Sequence, residues 1–165
     1  MPKKQSLVDD NEFSFLNESH RVIKPSDWNS TKFTKLWLYN LHYFDELNSF
    51  KSELRTNWHC SYVDFWIEEN LPGLGVGWEP YPTSLRIVNW IKWFLSSNNV
   101  NEKRLLSLSV QVRYLKKNLE THLLGNHLFV NAKALIFAGL YFEGNEANKW
   151  VNLGLKIFQE ELAEQ

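Results

Sequence analysis

The chain has 165 residues, a formal net charge of −1 and 44% hydrophobic residues, with only 7 glycines and 5 prolines. These values predict one globular domain with a sizeable core and exclude a disordered tail. The basic residues are scattered, which argues against a nucleic-acid partner, and the single cysteine, Cys60, excludes an internal disulfide and a cysteine metal cluster. We expect no metal and no other cofactor.

The first residues do not have the pattern expected of a secretory signal. Residues 1–12 lack the apolar core of a secretory signal. Because they are polar, we expect a flexible segment there, followed by one domain over residues 13–165. The most apolar run, residues 132–142, contains Lys133 and is shorter than the roughly 20 residues that a membrane span needs. We therefore expect no membrane partner; the chain is cytoplasmic as written, but its compartment stays open.

A short extended segment and a helix are the first predicted elements. Residues 13–17 and 22–23 alternate in polarity around turn residues, which predicts a small β-hairpin. Capping residues at 27–30 precede apolar residues at helical spacing, which predicts a helix that reaches about residue 50. On this helix Asn40 and Tyr43 are polar enough to line a groove, and we keep both as candidate substrate contacts.

A second, shorter helix is expected around residues 61–67. Pro72-Gly73 should end it. The loop that follows, residues 71–82, has three glycines, three prolines and two large aromatic residues. Exposed Trp78 and Tyr81 in such a loop favour stacking on a ligand such as a sugar ring. A hydrophobic plug between helices is the alternative role for this aromatic pair.

Four further helices follow from periodicity and capping residues. Thr83 caps helix three, which carries Arg86 in its first turn, and Asn101 caps helix four. Helix five covers about residues 126–142, and Gly144-Asn145 leads into helix six. Because the connections are short, successive helices should pack antiparallel, either in a bundle or in part of a helical toroid.

The strongest chemical signal lies at the start of helix five. Gly125 can end one helix, and Asn126 and His127 stand where the next one begins. A helix N-terminus offers free backbone N–H groups and the positive end of the helix dipole, so an anionic ligand suits this position. On the residues alone, Asn126 as a simple helix cap and His127 as an ordinary half-buried histidine stay open.

The other candidate polar residues have simpler interpretations. His42 and His122 are assigned structural roles, because no metal-ligand spacing links them. Arg86 is most simply a helix-start residue. Its planar guanidinium nevertheless suits a carboxylate or sulfate group, and we keep it as a candidate substrate contact.

Three ordered blocks stand out, of which the first two are rich in Trp and Tyr: LWLYNLHYFD at 36–45, WEPYPTSLRIVNW at 78–90 and LLGNHLFVNAKAL at 123–135. Together they resemble the N-terminal helical domain of heparinase II/III-type polysaccharide lyases, over residues 13–165. The resemblance implies an incomplete (α/α) toroid that precedes a β-sandwich domain. It also implies an enzyme class that cleaves uronic-acid-containing polysaccharides by β-elimination.

Elimination removes the C5 proton of a uronate, and the negative carboxylate opposes this step unless hydrogen-bond donors stabilise its charge. The resemblance places the carboxylate-neutralising amide at Asn126 and makes His127 a substrate contact or supporting donor. In the resembling enzymes, the tyrosine and the β-domain histidine that transfer protons correspond to positions beyond Gln165. The chain therefore looks cut, and we expect little or no lyase activity from it alone.

Three functions stay open on this basis. The first is the N-terminal domain of a lyase that binds an anionic polysaccharide, and the second is a non-catalytic carbohydrate-binding module. The third is a toroid glycoside hydrolase, which needs two carboxylates about 5–9.5 Å apart, of which only Glu79 is evident.

The expected fold is all-α, a partial (α/α) toroid of antiparallel helical hairpins with a short N-terminal β-hairpin. A toroid that is only half complete would expose apolar faces of its helices. Self-association through those faces is therefore a further expectation.

Overall fold

The computed structural model describes residues 3–121 and 126–163, which are mainly helical, with a small antiparallel sheet at the N-terminus. This confirms the predicted mostly helical fold with a short N-terminal β segment. The predicted turn at Gly125 and the structural role assigned to His122 lie outside the described residues. The elements are β1 (Leu7–Asp9), β2 (Glu12–Phe15), β3 (Glu18–Arg21), α1 (Lys35–Tyr43), α2 (Thr56–Glu69), α3 (Pro80–Ser96), α4 (Glu102–Lys117), α5 (Asn126–Tyr141) and α6 (Asn145–Ala163).

The sheet has the order β1-β2-β3, one strand more than the predicted hairpin. Strand β1 lies in the segment that was expected to be flexible. Its residue Leu7 pairs with Phe13 in β2, and both side chains are 1% exposed. Burial of these two side chains and a contact to a carboxylate far along the chain, at Glu46, order this segment.

Helix α1 is shorter than its sequence pattern predicts. It is capped by Thr34, whose hydroxyl accepts from the backbone N–H of Trp37 at 3.2 Å, rather than by residues 27–30. It ends at Tyr43 because Phe44 adopts a left-handed conformation with φ of 58°. This conformation costs about 1–2 kcal/mol for a non-glycine residue, and burial of the Phe44 ring against Tyr62, with centroids 4.2 Å apart, offsets it.

The remaining helices follow the predicted order with two shifted starts. Helix α2 begins at Thr56, five residues before the predicted segment. Helix α3 begins at Pro80, a residue well suited to the first helical position, and Thr83 lies inside the first turn instead of capping it. The predicted cap of α4 is confirmed, because Asn101 Oδ1 accepts from the backbone N–H of Arg104 at 2.9 Å.

Helix α3 is central in the packing, and it contacts α1, α4 and α5. Helices α5 and α6 form the closest helical pair, as the short connection between them predicts. A Cβ atom added at Gly154 would lie 2.7 Å from the backbone oxygen of Ala132, so only glycine permits this approach.

Exposed Leu95 and Leu140 border an apolar depression between α3 and α5. In the described part of the chain, no helix combines the length and apolar character of a membrane span.

A buried carboxylate fastens the N-terminal strand to the helices. Glu46 is 2% exposed, and its Oε1 accepts from Arg55 Nε at 2.7 Å and lies 3.3 Å from His59 Nε2. Its Oε2 accepts from the backbone N–H groups of Ser6 and Leu7 at 2.6 and 3.1 Å. Burial by itself raises the pKa of Glu46, but these donors outweigh it and lower that pKa to about 2.

Substitution of this carboxylate should change both stability and its dependence on pH. Because the folded-state pKa of Glu46 lies below its ordinary value of 4.5, ionised Glu46 stabilises the fold at neutral pH. This contribution declines as the pH falls below 4.5 and is lost near 2. We expect Glu46→Gln to lower the free energy of unfolding at neutral pH by about 3–5 kcal/mol, as measured by urea denaturation.

The same variant should lose part of the acid dependence of stability between pH 5 and 2, roughly the window set by the two pKa values. Glu53→Gln is the matched control, because Glu53 is an exposed carboxylate in a short 3-10 helix at Ser52–Arg55. Equal pH dependence in the wild type and Glu46→Gln would contradict the role of this carboxylate.

Candidate active site

The predicted Asn-His pair stands at the first turn of α5. Asn126 is exposed and begins the helix, and His127 is half-buried. The next residues of α5 turn toward the core, where Leu128, Ala132 and Leu135 are buried. The helix therefore fixes the backbone of the pair while both side chains keep contact with solvent.

His127 ends a row of four rings that crosses three helices. Its ring lies 4.5 Å from that of Tyr81, which lies 6.0 Å from that of Tyr43, and Tyr43 lies 6.2 Å from Tyr39. Tyr39 and Tyr43 share one face of α1 because they are four residues apart, and Tyr81 is the second residue of α3. We call these four half-buried side chains the aromatic row; they bring together predicted residues from three separate blocks of sequence.

A polar network lies beneath the His127 end of the aromatic row. Glu120 Oε1 is 3.2 Å from His127 Nδ1, and Glu120 Oε2 accepts from Asn131 Nδ2 at 3.3 Å. Asn131 Nδ2 also donates to Ser84 Oγ at 3.0 Å, and Asn131 Oδ1 accepts from the backbone N–H of Glu120 at 3.0 Å. Glu120 is 8% exposed, and Asn131 and Ser84 are fully buried.

Glu79 stands at the opposite end of the aromatic row. Its carboxylate accepts from the Tyr39 hydroxyl and from Lys35 Nζ, the latter at 2.9 Å. Burial, together with the hydrogen bond to Glu79, raises the pKa of Tyr39, and burial raises the pKa of Tyr43. Both phenols are therefore neutral at physiological pH, and the Tyr39 hydroxyl donates to Glu79.

A family model for the heparinase II/III N-terminus matches residues 31–165. The chain belongs to this family. Membership makes it a polysaccharide-lyase-related domain, and polysaccharide is the substrate class that the family implies. No curated protein and no solved structure matches the chain significantly.

In this heparinase II/III N-terminal domain, Trp78 belongs to the core. Its side chain is 2% exposed, its indole N–H donates to the backbone oxygen of Asn70 at 3.1 Å, and its ring packs against Trp66 and Tyr114. No face of the indole is left for a sugar ring. Trp78 is therefore a hydrophobic plug between helices, which was the alternative role, and it does not stack on a sugar ring.

Arg86 is also removed from the set of direct substrate contacts. The guanidinium is fully buried, donates to Gln111 Oε1 at 2.8 Å and to the Gly77 oxygen at 2.7 Å, and lies 4.0 Å from the centroid of the Trp66 ring. Burial lowers the pKa of Arg86 to about 9, so the group remains a cation at neutral pH. Its hydrogen bonds go to groups of the domain itself, and they hold the loop before α3 in place.

Asn40 faces a different part of the surface from the aromatic row. Its side-chain amide donates to the Leu36 oxygen at 2.8 Å, and it lines a shallow depression with Ser14 of the N-terminal sheet. The structure therefore separates Asn40 from Tyr43, although the two are three residues apart on α1.

His42 has the structural role that its sequence context predicts. It is fully buried, its Nδ1 accepts from the indole N–H of Trp66 at 3.0 Å, and its Nε2 donates to the Trp28 oxygen at 2.9 Å. Burial, helped by the charge of Arg86, lowers the pKa of His42 to about 3. A neutral ring with its proton on Nε2 is the form that satisfies both contacts.

Glu120, Asn131 and Tyr39 are not among the site residues that the sequence predicts, yet the structure brings them to the site. The sequence pattern does single out Asn131, because it is a polar amide on the otherwise apolar buried face of α5. Such a group needs a partner, and the partner here is Glu120. Within residues 3–121 and 126–163, no group of three or more His, Cys, Asp or Glu residues is arranged to hold a metal ion.

The packing role of Trp78 can be measured through its indole N–H. Trp78→Phe keeps an aromatic ring but leaves the backbone oxygen of Asn70 without this donor. We expect the variant to lower the free energy of unfolding by about 1–3 kcal/mol in urea denaturation. Trp58→Phe is the matched control, because Trp58 is 37% exposed, and it should change stability by less than about 0.5 kcal/mol. Equal effects of the two substitutions would contradict the plug.

Proposed function

We propose that this domain binds a uronic-acid-containing polysaccharide along the aromatic row and supplies Asn126 as the donor to the uronate carboxylate. One observation carries the proposal: the exposed start of α5 bears Asn126 directly beside His127, whose ring lies 4.5 Å from Tyr81 in the row. Family membership supplies the substrate class, and the geometry supplies a surface on which such a chain can lie.

The chemistry of β-elimination explains the value of an amide at this position. When the C5 proton leaves, negative charge spreads onto a carboxylate that is already an anion. A fixed donor and the N-terminal end of a helix both stabilise that charge. One preorganised donor of this type contributes on the order of 3 kcal/mol to a transition state.

The aromatic row supplies contact area for the sugar rings. Tyrosine combines a rigid apolar face with a polar hydroxyl and loses little conformational entropy when it is held. Tyr43 and Tyr81 are each half-buried, so their rings are positioned by the helices and still accessible. A non-catalytic binding module would use the same surface without requiring Asn126.

The hydrolase alternative has less support. The carboxylates at the two ends of the row are each engaged by side chains of the domain, Glu79 by Lys35 and Tyr39 and Glu120 by His127 and Asn131. A glycosidase pair would instead face the sugar from both sides, one as acid and one as base or nucleophile.

Binding by Asn126 can be tested with an oligosaccharide that contains uronate and with a neutral oligosaccharide of the same length. We expect Asn126→Ala to weaken binding of the uronate compound about tenfold in calorimetric titration, and to leave binding of the neutral compound unchanged. The matched control is Asn145→Ala, because Asn145 also follows a glycine and also begins a helix, α6. Equal losses for both compounds, or no loss for either, would contradict the assignment.

The 165-residue chain should bind without efficient cleavage. The two phenols of α1 in the row are held neutral by raised pKa values, and the resemblance assigns the proton-transferring tyrosine to a position outside these residues. We expect no sustained rise in ultraviolet absorbance from unsaturated uronate when the purified chain is incubated with uronic-acid polysaccharide. A clear rise would show that the chain contains a complete catalytic set.

A further inference from the structure

The Glu120 carboxylate, which faces His127, is held in place by a buried hydrogen-bond network. The backbone N–H of Glu120 can only donate, so the side-chain atom of Asn131 that faces it at 3.0 Å is the oxygen. The orientation of the Asn131 amide follows, and its nitrogen faces Glu120 Oε2 at 3.3 Å and Ser84 Oγ at 3.0 Å. The carboxylate is thus fixed to α5 and α3 through a fully buried amide.

The other carboxylate oxygen determines where the His127 proton lies. Glu120 Oε1 is 3.2 Å from Nδ1 of His127, and an ionised carboxylate only accepts hydrogen bonds. Nδ1 must therefore carry a proton. In the neutral ring the lone pair is then on Nε2, the nitrogen that does not face Glu120.

We propose that Glu120 is a positioning residue that holds His127 in the Nδ1–H form, so that Nε2 presents a lone pair to the polysaccharide. The His127 side chain is 40% exposed, whereas that of Glu120 is 11% exposed, so the carboxylate acts through the ring. Tyr81 packs against the ring, with centroids 4.5 Å apart, and limits its rotation. This inference rests on the proposed function, and it makes His127 an acceptor for a sugar hydroxyl rather than a second donor beside Asn126.

The network makes Glu120→Gln an informative substitution. The new side chain has nearly the same shape, but one carboxylate oxygen becomes an NH₂ group. The glutamine oxygen should face Asn131 Nδ2, because two NH₂ groups would otherwise meet. The glutamine nitrogen then faces His127 Nδ1 and donates to it, which moves the ring proton to Nε2 and removes the acceptor.

The tautomer can be measured without any ligand. In a chain labelled with ¹⁵N-histidine, long-range ¹H–¹⁵N correlation spectra at mildly alkaline pH report which ring nitrogen carries the proton. We expect Nδ1–H for His127 in the wild type and Nε2–H in Glu120→Gln, with the His127 signals identified by their loss in His127→Gln. Glu79→Gln is the matched control, because Glu79 bonds to Tyr39 and Lys35, and it should leave the His127 tautomer unchanged.

The wild-type spectrum tests the proposal even if Glu120→Gln does not fold. Wild-type His127 in the Nε2–H form, or as an imidazolium at this pH, would overturn it. Binding separates this inference from the proposed function: Glu120→Gln should bind the uronate oligosaccharide about tenfold more weakly while its circular dichroism is unchanged. An inverted tautomer with unchanged affinity overturns the acceptor role alone. If the wild type fails to bind, the proposed function fails while the tautomer result stands.

Discussion

The buried guanidinium of Arg86 joins the loop after α2 to helices α1 and α4. It donates to the backbone oxygens of Gly77 and His42 and to Gln111, and it lies over the Trp66 ring. A buried charge that loses its partners costs several kcal/mol, so these elements must keep their relative positions. The consequence reaches the surface, because the loop that contains Gly77 leads directly into the start of α3, where Tyr81 joins the aromatic row.

The same division into a buried support and an accessible surface recurs at α5. Asn131 and Glu120 are satisfied by each other and by Ser84 below the surface, and His127 and Asn126 stand above them. A fully satisfied polar network is rigid, because each broken contact leaves a buried group without a partner. His127, which contacts this network through Glu120, can therefore remain partly exposed without losing its orientation.

The high aromatic content serves two purposes, which divide by residue type. Seven of the eight tryptophans are buried, where their large apolar area stabilises the core. The tyrosines of the aromatic row are half-buried, because a hydroxyl group is compatible with contact to water. Composition alone could not separate these purposes, and Trp78, placed in a loop rich in glycine and proline, is the residue for which the loop signal was misleading.

Elements with local signals can be predicted from the sequence alone. Helix α4 begins after its predicted cap, α5 and α6 follow their apolar periodicity, and the pair Asn126-His127 stands at a helix start as the pattern indicates. Tertiary packing sets four other features: the end of α1 at Phe44, the ordering of β1, the burial of Arg86 and the pairing of Glu120 with His127. These features depend on partners from other elements, such as the contact between Ser6 and Glu46 across 40 positions, and a periodic pattern of apolar residues carries no record of which polar groups will meet.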